Sequence, residues 1–208
     1  MPVARFTLPT ILLLVLVLLC GTGTVRADHP PFAVAILETS DNPVSQQFIT
    51  AIARNDLNQL QAMIAAGANV NITDGKRVSP IHYATHVGNV EALKILVKKG
   101  AYVNAAVFGG WSAMHYAAFA GQVAAASYLA SEGALLDSVD AGGETPMFYA
   151  IEGGRAPMVR WLAEQGSDIN HTNNQGETPL SVAEENNLAE IAAYLKSRGA
   201  KRAHQKSP

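Results

Sequence analysis

Apolar positions return along this chain with a fixed beat. Ile81, Met114, Met147 and Leu180 are equally spaced, and an alanine follows each on the next turn, as Ala84, Ala117, Ala150 or Ala183. Just ahead of each sits a hydroxyl, Ser79, Ser112, Thr145 or Thr178, which can cap the free amides of a helix start. Pro80, Pro146 and Pro179 follow it in three of the four copies, at the helical position where a missing N–H costs nothing. The pattern predicts a first short helix ended by Gly88, Gly121, Gly154 or Asn187. A second helix carries Leu93, Leu96 and Val97 in one unit and Val159, Leu162 and Ala163 in another. It stops at Gly67-Ala68, Gly100-Ala101, Gly133-Ala134, Gly166-Ser167 and Gly199-Ala200. The polar stretches between, marked by Asn71, Asn104, Asp137 and Asn170, read as projecting turns or hairpins. Such units cannot bury an apolar face alone, so they stack.

At Asp74-Gly75-Lys76-Arg77-Val78-Ser79-Pro80-Ile81-His82-Tyr83-Ala84 and Asp140 to Pro146 the chain resembles the ankyrin-repeat family. The resemblance implies an all-α solenoid of helix-turn-helix units with short β-hairpin or turn connections. The expected division is a degenerate cap repeat at 46–73, repeats at 74–106, 107–139 and 140–172, and a C-terminal cap repeat at 173–204. A segment at 28–45, broken by Pro30-Pro31 and Asn42-Pro43, is expected to cover the first repeat, or else to act as a docking peptide. A tail at 205–208 closes the chain. The basic residues Lys196, Arg198, Lys201, Arg202 and Lys206 read as a frayed, solvated terminus.

The stretch from Met1 to Ala27 has a different grammar. Arg5, the unbroken apolar run Ile11–Leu19 and Val25-Arg26-Ala27 form a secretory signal peptide, with cleavage expected between Ala27 and Asp28. The apolar run is shorter than the roughly 20 residues a membrane-spanning helix needs. Cys20 is the only cysteine, so the chain after Ala27 contains none and no disulfide can staple it. Membrane association would require a retained leader or lipidation of Cys20, where Leu19 stands in place of the small residue lipoproteins carry. Loss of Arg5 and Arg26 leaves 13 basic against 17 acidic residues, which argues against a nucleic-acid partner. An exported ankyrin chain without cysteine resembles bacterial periplasmic proteins, and a monomer is expected.

No catalytic constellation is visible. The mature chain lacks Gly-x-Ser-x-Gly, a cysteine nucleophile and a phosphate-binding Gly-x-x-x-x-Gly-Lys, and Glu184-Glu185 point about 100° apart on a helix. His82 and His115 share one phase of adjacent repeats. Packed helices sit about 8–10 Å apart, whereas two zinc ligands lie within roughly 4 Å of each other, which argues against a shared metal; the ankyrin resemblance implies instead that each ring ties its repeat's own loop by hydrogen bonds. His29, His171 and His204 suggest nothing. No cofactor and no metal are expected, and the chain is read as a non-enzyme.

The resemblance also implies where a protein partner would touch: the hairpin tips and the exposed side of the first helices. Those slots hold Val78, His86 and Val87, then Phe108, Trp111 and Phe119, then Glu144 and Glu152. Three aromatics in one repeat read as an exposed hot spot on the concave side, with Trp111 and Phe119 at its centre. Exported proteins of similar layout include accessories of peroxide defence beside a catalase and inhibitors or immunity proteins for toxic enzymes. An envelope-tethered scaffold is a third reading.

Overall fold

Short helices paired head to tail are what the constant beat dictates, and the computed structural model, which describes residues 42–107 and 109–202, contains them in every unit. The described residues lie in one compact unit, Ser40–Pro208. The cleavage site at Ala27 and Asp28, Cys20, the 28–45 segment up to residue 41, Phe108 and the 205–208 tail lie outside them.

Among the described residues there are ten helices: α1 Pro43–Ala53, α2 Leu57–Ala65, α3 Pro80–His86, α4 Val90–Lys98, α5 Ala113–Ala120, α6 Val123–Ser131, α7 Pro146–Glu152, α8 Ala156–Glu164, α9 Pro179–Glu185 and α10 Ala189–Ser197. They form two layers. The inner helices α1, α3, α5, α7 and α9 pack on one another in order, the outer helices do the same, and each pair is joined within its repeat. The stretch of α5 from Ala113 to Ala118 is wholly buried, because small alanines let the inner layer approach closely on both sides. Outer helix α4 instead buries one stripe, Ala92, Leu93 and Leu96, and leaves its charges outside. Among the described residues the hairpins contribute one β-bridge, Ala106 with Ser112.

The first repeat is better capped than its sequence suggests. Asn42-Pro43, read as a break in the leading segment, is the start of α1, and the Asn42 carboxamide accepts from the Val44 and Ser45 amides at 3.0 and 3.4 Å. Left-handed residues end the inner helices as expected, with Asn55 and Asn187 (φ 53° and 58°) standing where the middle repeats have glycine.

Neighbouring repeats are tied by one asparagine each, save that an aspartate takes the place in the third. Asn71 Nδ2 donates to the Gly100 carbonyl at 2.9 Å while its Oδ1 accepts from the Tyr102 amide at 2.8 Å. Asn104 repeats both bonds with Gly133 and Leu135, at 3.0 Å each. Asp137 keeps only the acceptor half, taking the Asp168 amide at 3.3 Å, since a carboxylate has no N–H to give. Asn170 meets the Lys201 amide at 2.7 Å, and the Thr178 hydroxyl donates to the Lys201 carbonyl at 2.9 Å. Lys196 and Arg202 both clasp Glu184, at 2.6 and 2.7 Å. The expectation of a wholly frayed basic terminus is therefore corrected: through Arg202 the tail supplies the contacts that a following repeat would make.

Candidate functional site

The histidines of the capped starts show how tightly the scaffold holds this face. The Ser79 amide donates to His82 Nδ1 at 3.2 Å, and the Ser79 hydroxyl lies 2.9 Å from the same nitrogen. An Nδ1 that accepts puts the proton on Nε2, which donates to the Ala105 carbonyl at 2.9 Å. His115 repeats this with the Ser112 amide at 3.0 Å and the Glu144 carbonyl at 3.1 Å. Burial, the dominant cause, holds both imidazoles at a pKa of about 4, so they are neutral at pH 7. Both nitrogens of each ring are engaged, which leaves none for a metal. Serine and histidine together make a reciprocal capping box at each of these helix starts, which refines the expectation that the hydroxyl caps alone. In the fourth repeat Phe148 replaces the histidine, and the buried Thr145 hydroxyl has no partner. His171, which the sequence left without a role, packs edge-on against Phe148 and donates from Nε2 to the Gly143 carbonyl at 2.9 Å.

The predicted contact residues divide into two groups. Trp111, expected at an exposed tip, is 3% exposed. Its indole N–H donates to the Tyr149 hydroxyl at 3.0 Å, the two ring centroids lie 4.0 Å apart, and the Tyr149 hydroxyl itself donates to Asp140 Oδ2 at 2.5 Å. Asp140 Oδ1 in turn accepts the Gly142 and Glu144 amides, at 2.9 and 2.8 Å, which shapes the next hairpin. Val78 and Glu144, one repeat to either side of Trp111, are buried too, at 6% and 1% exposure, and Glu144 Oε1 accepts from Asn173 Nδ2 at 3.1 Å. The slot just before the capping hydroxyl therefore looks along the stack into the neighbouring repeat and not outward. The aligned Val78 was the signal for it.

The second group lies on the open side of the inner helices. Phe119 is half-buried with its ring 6.2 Å from that of Trp111; His86 and Glu152, in the same slot of the flanking repeats, are half-buried, and Val87 is 40% exposed. Tyr116 sits beneath them, 5.5 Å from Trp111 and 6.1 Å from His86, each contact edge-on. Sequence reasoning missed the supporting Tyr116, Tyr149 and Asp140, and also Gln122 and Arg155. These last two precede the outer helices α6 and α8 and reach back to the His86 and Phe119 carbonyls at 3.3 and 3.1 Å. Among the described residues no group of three His, Cys, Asp or Glu side chains could hold a metal, and no helix is long and apolar enough to cross a membrane.

A family model for ankyrin repeats (3 copies) matches residues 48–140 and 133–205. The chain belongs to the ankyrin-repeat family. Ankyrin repeats are in general protein–protein interaction modules and typically non-catalytic, which suits an ankyrin face made of packed rings and satisfied ties. No curated protein matches the chain at a significant level.

Proposed function

We propose that this chain is a non-catalytic binder of one protein partner in the bacterial periplasm, acting as a monomer. The contact centres on Phe119, with His86, Val87 and Glu152 around it. The observation that carries the reading is the contrast within one slot. His86, Phe119 and Glu152 occupy equivalent places in successive repeats, so the scaffold does not dictate their identity, and Phe119 rests its half-buried ring on the fixed Trp111–Tyr149 base. A partly open aromatic on a rigid support loses little entropy when a partner covers it. Trp111 acts here as the support. The export reading rests on Arg5, the Ile11–Leu19 run and Ala27, together with a mature chain without cysteine.

The experiment is capture from periplasmic extract by the immobilised mature chain, with the partner identified by mass spectrometry. Phe119→Ala should keep the melting temperature within about 2 °C while weakening capture by roughly 2–4 kcal/mol, thirtyfold or more. Unchanged capture by this variant would remove the face from consideration. Recovery of the native protein with its leader intact in the membrane fraction would remove the compartment.

A further inference from the structure

Resting on that reading, a second feature of the same face names part of the partner's chemistry. Three glycines sit at the ends of the inner helices where the Gln122 and Arg155 side chains cross between neighbouring repeats. A Cβ on Gly88 would collide with Gln122 Oε1, one on Gly121 would meet Arg155 Cδ at 2.9 Å, and one on Gly153 would meet the Phe119 carbonyl oxygen at 2.7 Å and Arg155 Cγ at 3.2 Å. The crossing slot, just before each outer helix, runs Asn89, Gln122, Arg155 and Leu188 at the spacing of the repeat. Asn89 and Gln122 show what it needs structurally: one amide N–H to a carbonyl, to Ile52 at 3.1 Å and to His86 at 3.3 Å. Arg155 does the same job with Nε alone, to the Phe119 carbonyl at 3.1 Å. Its two terminal nitrogens find no partner among the described residues, and the side chain crosses beside Phe119. His86 lies close enough for the Arg155 charge to act on it, and His86 Nδ1 is sealed from solvent with no hydrogen-bond partner.

A full guanidinium where a carboxamide suffices, with its fork unpaired among the described residues next to the central aromatic, is a recognition element for a planar anion. We propose that the partner lays the carboxylate of an aspartate or glutamate side chain on Arg155, beside His86, while an apolar neighbour in the partner covers Phe119. The anion accepts two parallel N–H bonds from the fork and cancels the positive charge next to the imidazole. In the free protein burial and, after it, Arg155 hold His86 at about 4. The partner's carboxylate offsets the second of these causes, the Arg155 charge, and sets an opposite charge beside the ring, which acts to raise that value. Arg155 is the charged group acting on this ring; Tyr116 meets it edge-on from α5, and the adjoining α1 carries no charged residue. On α4, Glu91 and Lys94 pair with each other on the exposed outer face.

The test uses isotopically labelled mature protein and two capped tripeptides at millimolar concentration, one with glutamate between two leucines and one with glutamine there. The glutamate peptide should shift the Arg155 Nε–Hε and His86 ring resonances and move the His86 titration up by roughly one pH unit, while the glutamine peptide should not. Arg155→Gln, which copies the residue at 122, should keep the melt and lose that difference. Equal response of Arg155 and His86 to both peptides overturns the proposal, as does an Arg155→Gln protein that still discriminates, or a larger response to inorganic phosphate than to the glutamate peptide. Shifts at Phe119 and Val87 with both peptides but none at Arg155 overturn the carboxylate contact and leave the partner face standing. If Phe119 and Val87 stay unmoved with both peptides and also on adding the captured partner, the face itself is wrong.

Discussion

The second and third repeats differ from the fourth and fifth in how each inner helix is fastened to the loop that follows. In the first pair a neutral imidazole spans the gap, His82 to Ala105 and His115 to Glu144, with both nitrogens used. In the second pair the ring is gone. Phe148 fills the space and leaves the Thr145 hydroxyl alone, while His171 fastens the hairpin from the other side. In the last repeat Ser181 takes the Thr178 amide at 2.9 Å, and the Thr178 hydroxyl makes the reach to Lys201. One frame thus accepts several fastenings, provided each buried backbone group finds a partner. The difference has a consequence for acid, because a buried neutral histidine resists protonation and a serine does not titrate.

The largest effect is expected at the joint between the halves. Trp111 belongs to the third repeat but is hydrogen-bonded to and packed on Tyr149 of the fourth. Trp111→Ala should destabilise by about 3–5 kcal/mol and lower the melting temperature by roughly 10 °C. If the halves are coupled through this ring, the transition should also broaden; a near-normal melt would return Trp111 to the surface.

Next in size is the acid limb. His82, His86 and His115 all fall in the second and third repeats and are held at about 4 in the fold, against 6.5 for an ordinary histidine. Between those values the unfolded chain binds protons that the folded chain refuses, so stability falls as the pH drops from about 6.5 towards 4. Each ring contributes up to about 1.4 kcal/mol per pH unit. Amide exchange followed at pH 7 and pH 5 should show α3 and α5 losing protection before α9 and α10. His115→Ala should cost about 1–3 kcal/mol at pH 7 and make the acid limb shallower. Equal loss of protection in both halves would erase the comparison.

The smallest effect is a gain. Asp137 interrupts the asparagine ties because it cannot donate to the Gly166 carbonyl as Asn71 and Asn104 donate to Gly100 and Gly133. Asp137→Asn should stabilise the junction of the third and fourth repeats by about 0.5–1.5 kcal/mol, seen as a melting temperature raised by a few degrees. A neutral or lower melt would show that the asparagine ties contribute less than their geometry implies.

Much of this molecule is legible because its determinants are local. The period, the helix starts at Ser79, Ser112, Thr145 and Thr178, and the left-handed stops at Gly88, Gly121, Gly154 and Asn187 depend on residues adjacent in sequence, and the phased copies support one another. The structural reading of His82 and His115 followed from the spacing of packed helices and from the ankyrin resemblance. The direction of a side chain just before the capping hydroxyl is another matter. Trp111 looked exposed because it follows the Gly109-Gly110 turn at a hairpin tip, yet it is buried against Tyr149, as Glu144 is against Asn173, partners distant in the chain. Arg155 likewise gives no sign, ahead of α8, that its Nε reaches the Phe119 carbonyl one repeat earlier. Sequence alone therefore determined the ankyrin architecture and the register of every repeat, since propensity, capping and backbone handedness act over a few residues. Only the tertiary structure decided which aromatics are floor and which are open, because that depends on how far the next repeat slides over the last.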